Sequence, residues 1–150
     1  MRTSARNRQM LDRRLTSWKS VDTAVPPRGW LRAIREALGM PLAEVARRTD
    51  MSLQRIAQIE ASEANGSVQL DTLRRAAEAL DCTLVYAIVP RDSLEATVDR
   101  QARLIALADA QSVRQTMLLE DQLGAEEEQA RLIDELADEL KRSPAALWRS

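Results

Sequence analysis

The sequence predicts a mainly α-helical protein that carries a single short strand. Three observations predict it. Apolar side chains return every three or four residues in successive segments separated by Gly, Pro and small polar residues, which is the spacing of amphipathic helices. The 45% hydrophobic content includes only 3% aromatics and no Phe, so the core falls to Leu, Ile, Val, Ala and Met, a mixture that favours helix. One run, Thr83–Val89 (TLVYAIV), is β-branched and apolar, and Pro90 stops it.

Three regions follow. Residues 1–27 hold a basic N-terminal helix and a linker. Over Arg2–Ser20, Met10, Leu11, Leu15 and Trp18 mark a packed face while Arg2, Arg6, Arg8, Arg13, Arg14 and Lys19 supply charge. VDTAVPPRG then breaks the helix, because paired prolines remove donors and push the preceding residue to extended geometry. Residues 28–90 form a bundle of short helices closed by the strand. Residues 91–150 form a helical extension. Within it, Asp92–Gln122 carries Leu94, Val98, Ala102, Ile105 and Ala108 on one face and ends at Gly124. Ala125–Arg142 carries Leu132, Ile133, Leu136, Ala137 and Leu140, with acids in its first turn and bases in its last. Leu147–Trp148 makes a short apolar tail.

In the middle region Trp30, Leu31, Ile34 and Leu38 space a first helix that Gly39 ends. Pro41 suits the first turn of a second helix, where its missing N–H costs nothing. Leu42, Val45 and Ala46 point inward there, and Ala46 is small enough for a close helix crossing. Thr49-Asp50-Met51 makes a turn, and Ser52 is a good N-cap for a third helix that Ile56 and Ile59 anchor. Leu53, Gln54, Arg55 and Gln58 are left facing outward. EASEANGS turns the chain into a fourth helix marked by Leu70, Leu73, Ala76, Ala77 and Leu80.

This pattern resembles the phage-repressor (XRE/Cro) helix-turn-helix family over about 60 residues. The resemblance implies double-stranded DNA as partner and places Leu53, Gln54, Arg55 and Gln58 at base edges in the major groove. Their chemistry agrees, since Gln bonds adenine bidentately, Arg bonds guanine, and an apolar side chain meets a thymine methyl. Arg47 and Arg48 suit phosphate contact, and Ser52 stands at the same helix start. Family members often open the second helix with a polar pair that binds phosphate. Here Pro41 and Leu42 stand there, which weakens that anchor, and Arg28, Arg32 or the basic N-terminal arm are the candidates to substitute.

A lone strand cannot satisfy its own edges within a helical chain. Thr83, Leu84, Val85, Tyr86, Ala87, Ile88 and Val89 are therefore expected to pair with the same strand of a second copy, as in some antitoxins of the repressor family. A two-fold homodimer would set two recognition helices about 34 Å apart, matching a palindromic operator. PPRGWLRAIREALGM, LRRAAEALDCTLVYAIVPRDSLE, TMLLEDQ and the Leu-Trp ending also resemble the mobile mystery protein A family. That resemblance implies an antitoxin-like autorepressor with a Fic-domain protein as partner. Small Fic antitoxins carry Ser/Thr, then Glu four residues later, then Gly or Asn. Thr116 and Glu120 have that spacing, and Asp121 departs from it.

Composition excludes much else. The chain has no His, so Ser-His-Asp and Cys-His catalysis are absent, and Cys82 alone makes neither a disulfide nor a zinc site. Cys82 reads as a small buried residue in a reducing, cytoplasmic protein. Gly29, Gly39, Gly66 and Gly124 are scattered, so no phosphate-cradling loop exists. No cofactor, metal, membrane segment or enzymatic activity is expected. The net charge of −1 divides into +6 over residues 1–75 and −7 over 76–150. The basic front suits phosphates, whereas the acidic pI of about 5.6 favours the alternative of a protein–protein inhibitor of a Fic enzyme with little DNA binding.

Overall fold

In a computed structural model of the chain, the described residues are 2–116 and 125–149. The order is α1 (Arg2–Thr16), a 3-10 turn (Ser17–Ser20), α2 (Trp30–Ala37), α3 (Leu42–Thr49), α4 (Leu53–Ala64), α5 (Leu70–Ala79), α6 (Leu94–Thr116), α7 (Ala125–Arg142) and α8 (Pro144–Leu147). The chain divides into two compact units. Val21–Ala87 forms one, and Met1–Ser20 with Ile88–Ser150 forms the other.

The first unit is the four-helix block α2–α5. Leu31, Val45, Ala46, Ile56, Ile59, Ala76, Ala79 and Leu80 make its core, with Ile34, Met40, Leu42, Met51, Val68, Leu73 and Cys82 packed around it. Trp30, expected on the packed face of α2, is instead 49% exposed at the helix start. Cys82 is only partly buried, with its Sγ 3.4 Å from the Leu80 carbonyl.

Polar groups lock α2 to α4 at both ends of α2. The Arg35 guanidinium donates to Glu60 through Nε at 2.6 Å and Nη2 at 3.0 Å, and its Nη1 donates to the Met40 carbonyl at 3.3 Å. Both side chains are largely buried, so each charge depends on the other. The neighbouring carboxylate raises the Arg35 pKa above its already high value, and the guanidinium stays charged at any working pH. At the start of α2, the Glu63 carboxylate accepts from the Trp30 and Leu31 N–H groups, each at 2.8 Å, and so supplies the cap that Gly29 cannot. Gly29 has φ +84°, and a Cβ there would stand 2.8 Å from Glu63 Oε2. Only glycine fits.

The second unit packs α1, α7 and α8 against α6. Its core is Val98, Ala102, Ala106, Ala137 and Leu147, with Ile105, Ile133, Leu136 and Leu140 around it. Lys141 joins α7 to α6 by reaching Asp99 Oδ1 at 2.9 Å, and it also pairs with Asp138 at 2.8 Å. Two faces differ from expectation. The buried stripe of α6 runs through Ala102, Ala106 and Ala110, while Ala108 is exposed, because four-residue steps of small side chains let the neighbouring helices approach closely. On α7, Leu132 is 48% exposed. Leu147, expected only in an apolar tail, is fully buried, and Gln101 Nε2 donates to its carbonyl at 3.0 Å.

No strand is found among the described residues. Thr83–Val89 carries neither helix nor ladder, and Val85, Tyr86 and Ile88 are 60%, 61% and 87% exposed. A ladder needs a partner, and a single copy offers this segment none among the described residues. The Thr116–Glu120 pairing and the helix end expected at Gly124 fall outside the described residues. No helix among the described residues is long and apolar enough to cross a membrane.

Replacing Glu60 by Gln should strand the Arg35 charge and cost about 3 kcal/mol, at the low end for breaking a buried pair from one side. Chemical denaturation of the two proteins measures it. Replacing the pair together by Met and Leu should recover most of that loss.

Candidate nucleic-acid interface

The pair α3 and α4 with the turn between them carries most of the side chains expected at the site. Val45 and Ala46 are buried, and the buried Thr49 hydroxyl donates back to the Val45 carbonyl at 2.8 Å. That bond satisfies the hydroxyl inside α3 and leaves Thr49 as its last residue. Asp50 then takes a left-handed conformation at φ 56°, ψ 42°, and Met51 N donates to the Ala46 carbonyl at 3.0 Å. This closes α3 and redirects the chain within two residues.

Ser52 starts α4 as expected. It sits in extended geometry, and its hydroxyl oxygen accepts from the Arg55 N–H at 3.1 Å. Ile56, Ile59 and Glu60 face inward. At 100° per residue, Gln54 and Gln58 then lie roughly 160–200° from Ile56, with Leu53 and Arg55 to either side. All four are exposed, Leu53 at 47%. Gln54, Gln58 and Arg55 fall within an outward arc of about 100°, and Leu53, about 60° from Ile56, is exposed at the helix start. Arg55 Nη1 donates to Gln58 Oε1 at 3.3 Å. The remaining guanidinium donors and the Gln58 amide N–H groups make no hydrogen bond among the described residues.

The expected phosphate contacts stand differently. Glu44, in the first turn of α3, takes both neighbouring arginines: Arg47 through Nη2 at 2.7 Å and Nε at 2.9 Å, and Arg48 through Nε at 2.8 Å. Hydrogen bonds from Arg47 and then Arg48 bring the Glu44 carboxyl down to about 2. A depressed carboxyl contributes to stability above the usual carboxylate range, and that contribution is lost as pH falls toward about 2. Arg48 also donates through Nη1 to the Ala79 carbonyl at 3.1 Å. Arg32 pairs with Glu36 at 2.8 Å. Arg28 is exposed in the loop before α2, and Ser52 uses its oxygen as the cap.

Three of the four arginines expected on phosphates thus meet a carboxylate of their own helix. The signal was present in the spacing, since Glu44 stands three and four residues before Arg47 and Arg48, and Arg32 four before Glu36. Residues 21–87 carry eight Lys/Arg and nine Asp/Glu, a balance of −1, so the positive excess of the front half does not reside in this unit.

Asp50→Gly should stabilise the first unit by about 0.5–1 kcal/mol, because glycine occupies a left-handed turn position without the penalty that a side chain carries. Denaturation midpoints of the two proteins check it.

Neither a curated protein nor a solved structure matches this chain. Residues 31–86, which run from α2 to Tyr86, match the family model described as helix-turn-helix.

Proposed function

We propose that the chain is a sequence-specific, DNA-binding transcriptional regulator that acts as a homodimer on a palindromic operator and serves as antitoxin and autorepressor to a Fic-domain partner. The observation that carries the DNA-binding part is the outward face of α4. Gln54, Arg55 and Gln58 stand together on a capped helix, with Leu53 exposed at its start, and the helix's other face is fixed by Ile56, Ile59 and the Arg35–Glu60 pair. A rigid helix that presents amide and guanidinium donors matches the major-groove pattern of bases. Arg28, Arg32, Arg47, Arg48 and Ser52 are the phosphate contacts of this reading, with the Glu44 and Glu36 pairs exchanged for phosphate on binding.

The dimer rests on Thr83–Val89. An apolar segment this exposed, ending at a proline, is suited to pairing with its counterpart in a second copy. The Fic partner rests on the resemblance to the mobile mystery protein A family, with Thr116 and Glu120 as the inhibitory pair. A second reading, inhibition of the Fic enzyme with little DNA binding, is favoured by the balance of −1 on residues 21–87.

A gel shift with the DNA upstream of the chain's own gene, run over a salt series, separates the two readings. A regulator shows affinity that falls steeply with salt, whereas an inhibitor shows no shift at any salt. Arg55→Ala and Gln58→Ala should each weaken operator binding by about 1–3 kcal/mol and relax the base preference, leaving random DNA unaffected. If both variants bind the operator as the parent does, α4 is not the reading helix. Val85→Asp with Ile88→Asp should turn a sedimenting dimer into a monomer, and a variant that remains dimeric removes the strand from the account. Co-purification with the adjacent gene product tests the Fic partner.

A further inference from the structure

The charge that the helix-turn-helix unit lacks is found on α1. Residues 1–20 carry six Lys/Arg and a single acid, Asp12, a balance of +5. One face of α1 is consumed in anchoring it to α6. Arg8, with a side chain 14% exposed, donates to Glu95 through Nε at 2.8 Å and Nη2 at 3.4 Å. The Asp12 carboxylate accepts from the Leu94 N–H at 2.8 Å and the Glu95 N–H at 3.2 Å, helping to cap α6 beside the Ser93 hydroxyl, which accepts from Ala96 N. The Lys19 ammonium donates to the Asp92 carbonyl. These contacts set the rotation of α1, and with it what faces solvent.

The solvent face holds Arg6, Arg13 and Arg14, all exposed, around Met10. At 100° per residue the four fall within an arc of about 100°. None of the three arginines enters an ion pair among the described residues, in contrast to Arg32, Arg35, Arg47 and Arg48 of the other unit. The one acid of α1 is already turned to the α6 N–H groups.

We propose that this face is a second nucleic-acid contact, binding the phosphate backbone of duplex DNA independently of sequence. It rests on the DNA-binding reading of α4 and adds to it three cations on one helix face that enter no ion pair among the described residues. Duplex DNA presents a dense row of negative charge, and a rigid helix bearing three free guanidiniums complements such a row by releasing its counterions. A lipid surface fits less well. Membrane-bound helices need a broad apolar face, and here only Met10 and Leu11 are exposed among the apolar residues of α1.

The test uses the full chain with R6Q/R13Q/R14Q, measured on an operator duplex and an unrelated duplex of equal length between 50 and 200 mM salt. The exposed, unpaired sites leave the thermal midpoint unchanged. The slope of log affinity against log salt should become shallower by about 2–3, near 0.9 per lost phosphate contact. Affinity for both duplexes should fall by the same factor, keeping their ratio, and R6K/R13K/R14K should restore it. An unchanged slope in a variant whose parent binds DNA overturns the proposal. So does a parent that binds phosphatidylserine vesicles through these arginines while its DNA binding ignores them. A parent that binds neither duplex removes the DNA-binding reading itself, which is a different failure.

Discussion

The rotation of α4 is the constraint on which the rest depends. Ile56 and Ile59 fill the core, and Glu60 must face the same way because Arg35 holds its carboxylate through two hydrogen bonds. A largely buried ion pair is poor evidence for stability, but it is unforgiving about geometry. A rotation of α4 that moved Glu60 outward would leave a guanidinium without its partner. Once those three side chains are inside, Gln54 and Gln58 have nowhere to go but out. The Glu63 carboxylate, one turn further along α4, fixes the start of α2 in the same way. One helix thus supplies the core, the lock, the cap and the surface proposed to read bases.

Electrostatics divides the chain differently from its sequence. A basic front half and an acidic back half suggest a DNA-facing half and a repelled one. In the fold, α1 belongs with the C-terminal helices, and the helix-turn-helix unit is close to neutral. Three of its arginines, Arg32, Arg47 and Arg48, are matched by acids one helical turn away, so they do not advertise themselves to distant phosphates. Such surface pairs are worth little in stability. Their consequence is for binding, where phosphate must replace a carboxylate rather than water.

What was legible in the sequence followed from local rules. Ser52 as cap, the turn through Asp50, the inward Ile56 and Ile59 and the outward Gln54 and Gln58 all come from helical spacing and side-chain chemistry within a dozen residues. What was not legible depends on partners distant in the chain. Nothing in the sequence around Glu63 announces that it caps a helix more than thirty residues earlier, or that Arg8 will meet Glu95. The α6 stripe slipped from Ala108 to Ala106 and Ala110 because alanine is permissive on either face, and only close packing decides. Leu147 reads as a tail residue until the pocket beneath it exists. The segment Thr83–Val89 is β-prone by composition, yet a ladder is a property of two segments, and the described residues of a single copy pair it with none.

The central claim, that the N-terminal half of α4 is the surface that reads bases, is tested most directly by backbone amide NMR of the full chain titrated with an operator duplex and then with an unrelated one. The account predicts that amides of residues 52–58 shift most with the operator, and by much less with the unrelated duplex. If those amides stay in place while the protein binds and others move, the reading surface lies elsewhere.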